Sequence, residues 1–70
     1  MIKEFTLTER EIEVLNYAKL DFENQSIANL MCISIYTVKV HMKSILRKLN
    51  VKTITEAVIK AIQLGIIDLY

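Results

Sequence analysis

The sequence predicts an all-α fold of four short helices. Its 70 residues include one glycine and no proline, so the residues that usually delimit strands and turns are almost missing. Hydrophobic residues make up 53% of the chain and recur every three to four positions, which is the period of a helix buried on one side. The length fits one domain, which we take to be residues 1–70.

The first helix is predicted to begin after Thr8, because Thr8 and Glu11 have the spacing of a capping box. Leu7 can pack onto Ile12 across this helix start. The helix should end near Lys19. Its predicted buried stripe consists of Ile12, Val14, Leu15 and Ala18.

A short second helix is predicted with Asn24 as its N-cap, and a third with Ser34 as its N-cap. The second carries Ile27, Ala28 and Met31 on one side, and residues 32–34 separate it from the third. No helix-breaking residue occurs from there to about Leu49, and Asn50 suits a left-handed helix end.

The third helix has two distinct faces. Its apolar stripe is about 100° wide and consists of Ile35, Val38, Met42, Ile45, Leu46 and Leu49. The opposite face is basic and polar, and it consists of Tyr36, Thr37, Lys39, Val40, Lys43, Ser44 and Arg47. Lys39 and Lys43 are one turn apart and should project side by side.

A last helix should start at Thr53 or Thr55 and end near Gly65. Its apolar residues span an arc of roughly 220°, about twice what one core contact needs. We therefore expect a homodimer surface on this helix. The predicted dimer residues are Ala57, Val58, Ala61, Ile62 and Leu64. The alternative is that Ile66, Ile67, Leu69 and Tyr70 fold back over the arc.

The net charge of +1 hides an uneven distribution. Residues 1–38 hold three basic and six acidic residues, a net −3. Residues 39–52 hold five basic residues and no acidic one, a net +5, and residues 53–70 hold one basic and two acidic residues, a net −1. The basic block coincides with the third helix, which favours an acidic partner such as nucleic acid.

Composition also limits compartment and chemistry. A single cysteine, Cys32, excludes an internal disulfide, and no apolar stretch has the length of a membrane span or a signal peptide. We expect a cytoplasmic, unprocessed protein with no membrane contact and no separate sensor domain. Neither His41 nor Cys32 has companions for a metal or catalytic site, so we expect no metal, no cofactor and no enzymatic activity. Cys32 is best explained as a small buried residue in the turn.

A short helix, a tight turn and a longer basic helix form a helix-turn-helix, with one further helix on each side. The residues that fill this pattern are the string from Leu7 to Leu15, Ile27-Ala28, Ile33-Ser34, the run from Thr37 to His41, Lys48-Leu49 and Ala57. Together they resemble the LuxR/GerE-type four-helix DNA-binding domain, from about Leu7 to Ile67. The chain looks most like the free-standing GerE-like regulators.

The resemblance implies roles for individual residues. It implies base-edge contacts in the major groove for Lys39, Val40 and Lys43, and the last helix as the dimer contact. It implies that Asn24, Gln25, Thr37 and His41 lie at the phosphate backbone. From their positions on or beside the basic helix we add Ser34, Tyr36, Arg47 and Lys48 to the backbone group, although Tyr36 could instead cover the helix start.

We therefore expect a sequence-specific transcriptional regulator that binds double-stranded DNA as a homodimer, with residues 34–49 as the recognition helix. A partner regulator or RNA polymerase is a further possible partner. The alternative is a protein-interaction module or coactivator that pairs through the last helix and reads DNA weakly or not at all. Two departures from the family pattern, which lose charge at Gln25 and Ile54, keep that alternative open.

Overall fold

The computed structural model describes residues 6–70, and four α-helices account for most of that range. They are α1 (Glu9–Lys19), α2 (Asn24–Met31), α3 (Ile35–Leu49) and α4 (Ile54–Gln63). The predicted all-α fold class is confirmed. Helix α1 packs against the other three, and α3 contacts both α2 and α4, so α1 and α3 stand between α2 and α4.

The helix starts follow the predicted capping chemistry in three of four cases. Thr8 and Thr53 each form a capping box with the glutamate three residues later, and the Ser34 hydroxyl accepts a hydrogen bond from the Thr37 amide. The prediction of Asn24 as the N-cap of α2 is wrong. Glu23 is the N-cap residue, because its carbonyl already accepts from the Ile27 amide at 2.9 Å, and its side chain caps nothing.

Three helix ends or links place a non-glycine residue in the left-handed region. Asp21, Cys32 and Asn50 have φ angles of 68°, 59° and 58°. Asn50 behaves as predicted. Cys32 corrects the prediction of a small buried side chain: it is the C-cap of α2, its left-handed backbone turns the side chain outward, and it is exposed.

One hydrophobic core joins all four helices. Its buried residues are Val14, Leu15, Ile27, Ala28, Met31, Val38, Ile45, Leu49, Ala57, Ala61 and Ile67. In α3 the predicted stripe is buried at Val38, Ile45 and Leu49 and half-buried at its other positions. In α1 it is buried at Val14 and Leu15 and half-buried at Ile12 and Ala18, and Glu11 is buried in addition.

The C-terminal segment folds back in part. The amides of Ile66 and Ile67 both donate to the Ala61 carbonyl, and Ile67 is 5% exposed. Leu69 and Tyr70 are exposed. Ile66 lies with Leu7 and Ile12 along a shallow groove beside α1. Helix α4 also packs directly on α1 and α3, and its side at Ile59 stays exposed.

Candidate nucleic-acid interface

The turn between α2 and α3 fixes how α3 leaves the core. The Cys32 amide donates to the carbonyl of Asn29, and the Ile33 amide donates to that of Ala28, so the end of α2 is closed by backbone bonds. Ser34 then begins α3, and its hydroxyl also lies 3.0 Å from the hydroxyl of Thr37. With Val38 and Ile45 anchored in the core, the far side of α3 faces outward.

That outward side is the reading face, which we define as Tyr36, Lys39, Val40, Lys43 and Arg47. These residues are three or four positions apart and therefore form one stripe along the helix. All five are exposed, and Tyr36 and Val40 are 73% and 47% exposed. Within residues 6–70, the ammonium groups of Lys39 and Lys43 have no hydrogen-bond or ion-pair partner, and Arg47 contacts only the Ser44 hydroxyl, at 3.4 Å.

The basic residues outside the reading face are mostly engaged within the protein. Arg10 pairs with Glu13 and donates to the Met31 carbonyl at the end of α2. Lys60 donates to the Leu49 carbonyl at the end of α3, at 2.8 Å, and Lys19 donates to the Asp68 carbonyl at the same distance. Cations at helix C-termini offset the negative end of the helix dipole, so these side chains stabilise the fold.

Lys48, which is predicted as a phosphate contact, is also engaged within the protein. Its ammonium donates to Glu11 Oε1 at 2.9 Å, and the side chains of Lys48 and Glu11 are 16% and 5% exposed. The same carboxylate oxygen accepts from the Thr8 amide at 2.9 Å, so Glu11 serves the cap of α1 and the ion pair together. Lys48 lies on the side of α3 that faces α1, away from the reading face.

The Glu11 carboxylate is held in its charged form. Burial raises the pKa of Glu11, but hydrogen bonds from Lys48, Ser44 and the Thr8 amide, together with the Lys48 charge, outweigh it and leave the pKa below its ordinary value.

The remaining predicted backbone-contact residues lie at the N-terminal ends of α2 and α3 or along one edge of α3. Asn24 and Gln25 begin α2, and the Gln25 amide is bonded to Asn29 along the outer side of that helix. Ser34 and Thr37 begin α3, and His41 follows one turn after Thr37 and is half-buried. Helix N-termini present free amides, which suits phosphate binding.

Helix α4 places the predicted dimer residues in three different environments. Ala57 and Ala61 are fully buried against the rest of the chain, so their assignment to a dimer surface is wrong. Leu64 is 56% exposed but borders Asn50 and Lys60 on another side of α4. Val58 and Ile62 are half-buried at the edge of the open side.

The open side of α4 carries a residue that the sequence analysis missed. Ile59 is 51% exposed, and with Thr55 and Val58 it lines a groove that continues to Phe22 after α1. We call Thr55, Val58, Ile59 and Ile62 the α4 surface. Ile59 lies about 160° from Ala57 around the helix, and this spacing could have identified it as outward-facing.

Residues 6–70, the described part of the chain, hold neither a metal-binding cluster nor a membrane-spanning helix. No group of three or more His, Cys, Asp or Glu side chains is placed to hold a metal ion there. No helix in this range is long and apolar enough to cross a membrane. The grooves on the surface are shallow and open, and one of them lies along the reading face between Val40, Lys43, Ser44 and Arg47.

Comparison with known proteins gives a consistent result. Residues 5–61 match the sequence profile of the family described as bacterial regulatory proteins, luxR family. The chain is 48% identical over 62 residues to the response regulator protein VraR of Staphylococcus aureus and to that of Staphylococcus saprophyticus. These alignments cover 89% of this chain and 30% of each relative, so the chain spans about a third of the length of the curated relatives it matches.

Among solved structures, the fold is similar to that of the transcription factor GerE. The TM-score is 0.87 at 30% sequence identity, and the superposition covers 91% of this chain and 96% of the GerE chain. The helix-turn-helix predicted from the sequence therefore has the same arrangement of helices as a solved transcription factor.

Proposed function

The chain belongs to the luxR family of bacterial regulatory proteins, a family of helix-turn-helix DNA-binding transcription regulators, and on that premise we propose that it reads operator DNA through the reading face of α3. In this proposal α3 enters the major groove. Lys39 and Lys43 donate to acceptor edges of bases, guanine above all, and Val40 packs against a thymine methyl group. A regulator that acts in this way works in the cytoplasm, where bacterial DNA is found.

The observation that supports this proposal most is that the basic residues divide into those engaged within the protein and those left free at the surface. Arg10, Lys19, Lys48 and Lys60 are each engaged by a carboxylate or a backbone carbonyl. The cations of the reading face remain free of carboxylates within residues 6–70, together with the exposed Lys52. Unneutralised cations along one exposed stripe are what phosphate neutralisation and base contact both require.

Backbone contacts complete the proposed interface. The ends of α2 and α3 at Asn24, Gln25, Ser34 and Thr37 present amide and hydroxyl groups to phosphates, and Arg47 reaches a phosphate from the other end of the reading face. Phosphate contacts fix the position of the domain on the duplex and carry no sequence information. Sequence recognition is then assigned to the central part of the reading face.

We further propose that two copies pair through the α4 surface on a twofold-symmetric operator. Ile59 is half-exposed on a groove that extends to Phe22, which gives an apolar area outside the core. A twofold pair would place its two α3 helices about one turn of DNA apart, roughly 10 base pairs. Ala57, Ala61 and Leu64 have no part in this surface.

The test is selection of bound sequences from random duplex DNA, followed by titration of a selected duplex and a scrambled duplex at several salt concentrations. The proposal expects a recovered motif with twofold symmetry, and affinity that falls steeply as salt rises. Sedimentation of the free protein and of the complex gives the number of copies. Absence of duplex binding even at low salt would refute the proposal and favour the alternative of a protein-interaction module or coactivator.

A further inference from the structure

Tyr36 is the most exposed hydrophobic side chain of α3. It belongs to the reading face, but the contacts proposed for Lys39, Val40 and Lys43 give it no individual role. It is 73% exposed, against 47% for Val40 on the same helix. Its hydroxyl makes no hydrogen bond within residues 6–70, and the one aromatic pair in that range joins Tyr17 and Phe22. A tyrosine with neither packing nor a bonded hydroxyl contributes little to the stability of the protomer.

The direction of Tyr36 around α3 coincides with the centre of the reading face. At about 100° per residue, and with Val38 at zero, Tyr36 lies at about 160°. Lys43 lies at about 140° and Val40 at about 200°, on its two sides. The predicted phosphate contacts Thr37 and His41 lie at about 260° and 300°, on the flank of the helix. Direction therefore places Tyr36 on the side of α3 that holds the base-edge residues and Arg47, away from Thr37 and His41.

The position of Tyr36 along α3 leads to the same grouping. It is the second residue of the helix, one turn before Val40 and two turns before Lys43. In helix-turn-helix complexes the N-terminal residues of the recognition helix are those that contact base edges. Tyr36 thus occupies the end of the reading face that would lie deepest against the bases.

The apolar character of Tyr36 and its neighbour Val40 indicates which group of the DNA Tyr36 contacts. Tyr36 and Val40 are one turn apart and form an apolar strip, with Lys39 and Lys43 beside it. The apolar group that base pairs present in the major groove is the C5 methyl of thymine. We propose that Tyr36 is a specificity-determining residue whose ring packs on a thymine methyl at one position of each half-site. This inference rests on the proposed function, and it replaces the backbone role expected for Tyr36.

The test combines base selection with removal of a single methyl group. Sequences are selected with the wild-type protein and with Tyr36→Ala, Tyr36→Phe and Leu69→Ala; Leu69 is a control because it is 61% exposed at the other end of the chain. Tyr36→Ala is expected to lose the preference for thymine at one position per half-site and to keep the other preferences. Tyr36→Phe and Leu69→Ala are expected to keep all of them, because the ring carries the contact.

Replacing that thymine by deoxyuridine removes the methyl and leaves the base pair intact. Wild-type affinity should fall about 4-fold, the effect of one methyl group taken from an apolar contact. Affinity of Tyr36→Ala should be the same for both duplexes. Equal methyl effects for wild type and Tyr36→Ala would overturn the inference, and so would a loss of preference in Tyr36→Phe as large as in Tyr36→Ala.

A uniform loss of affinity on all sequences in Tyr36→Ala, with a smaller salt slope, would also overturn it, because that is the behaviour of a phosphate contact. These outcomes leave the proposed function intact. Failure of the proposed function gives a different result, since the wild-type protein then binds no duplex at low salt and selects no motif.

Discussion

Replacement of Glu11 by glutamine removes the charge of the buried ion pair and keeps the shape of the side chain. Glu11 Oε1 accepts from the Lys48 ammonium and from the Thr8 amide, both at 2.9 Å. A hydrogen bond to a charged group contributes about 1.5–3 kcal/mol and a neutral one about 0.5–1.5 kcal/mol. Glutamine also avoids the cost of burying a carboxylate, so we expect a net loss of about 1.5 kcal/mol in the free energy of unfolding.

That loss is large for a chain of this size. A small domain has roughly 5 kcal/mol of stability in total, and a change of 1.5 kcal/mol lowers the melting temperature by about 6–12 °C. Urea unfolding followed by circular dichroism at pH 7 measures it. The matched control is Glu13→Gln, two residues along the same helix: Glu13 pairs with Arg10 while the two side chains are 39% and 48% exposed. An exposed pair contributes about 0–1 kcal/mol.

The pH dependence gives a sharper test. The folded pKa of Glu11 is below its ordinary value of 4.5, so its contribution is fully present above that value and is lost as the pH falls through the folded pKa. Protonated glutamic acid resembles glutamine, so the stability difference between the two proteins should shrink as the pH falls below 4.5 and vanish once the pH is below the folded pKa of Glu11. An equal difference at pH 7 and pH 3, or a Glu13→Gln loss as large as that of Glu11→Gln, would refute the reasoning.

Three further predictions concern the reading face, the turn and α4. Lys39→Ala and Lys43→Ala should each cost about 1–3 kcal/mol in operator binding and relax base preference, while Arg47→Ala should weaken all duplexes alike and lower the salt slope by about 1; the same titration profile for all three would contradict the assigned roles. Cys32→Gly should stabilise the fold by about 0.5–1 kcal/mol in urea unfolding, because glycine adopts the left-handed C-cap without strain, and Cys32→Ala, which keeps the strain, should melt with the wild type. Ile59→Glu should reduce the number of protein copies from two to one in the free or DNA-bound species, as measured by sedimentation, without loss of helix content, whereas Leu69→Glu should leave that number unchanged; a dimer that survives Ile59→Glu would exclude the α4 surface.

Local patterns made most of the fold predictable. The positions of the helices follow from the spacing of hydrophobic residues and from capping residues such as Thr8, Ser34 and Thr53. Each of these caps its helix through a hydrogen bond with the residue three positions later. The left-handed conformation of Asn50 is equally predictable, since asparagine tolerates that conformation. The exposed, left-handed position of Cys32 could not be predicted in the same way, because cysteine has no such preference. Its left-handed backbone conformation follows from how α2 must end before α3 can begin.

Contacts between distant residues could not be predicted in this way. Glu11 and Lys48 are separated by 37 positions, and neither local charge nor helical period shows that they meet. Helical spacing predicts the apolar arc of α4, but the width of that arc does not say which half of it meets the protomer's own core. Ala57 and Ala61 occupy that half because their small side chains allow α4 to approach α1 and α3 closely.

The bond from Lys60 to the Leu49 carbonyl has a consequence for the length and phase of an operator. It fastens the helix that carries the α4 surface to the end of the helix that carries the reading face. In a pair built on α4, the separation of the two reading faces is then set by packed helices and involves no flexible linker. Each base pair inserted between half-sites turns one of them by about 34° around the DNA axis, which such a pair cannot follow. The pair would therefore fit operators of one half-site spacing and would discriminate operators by that spacing alone.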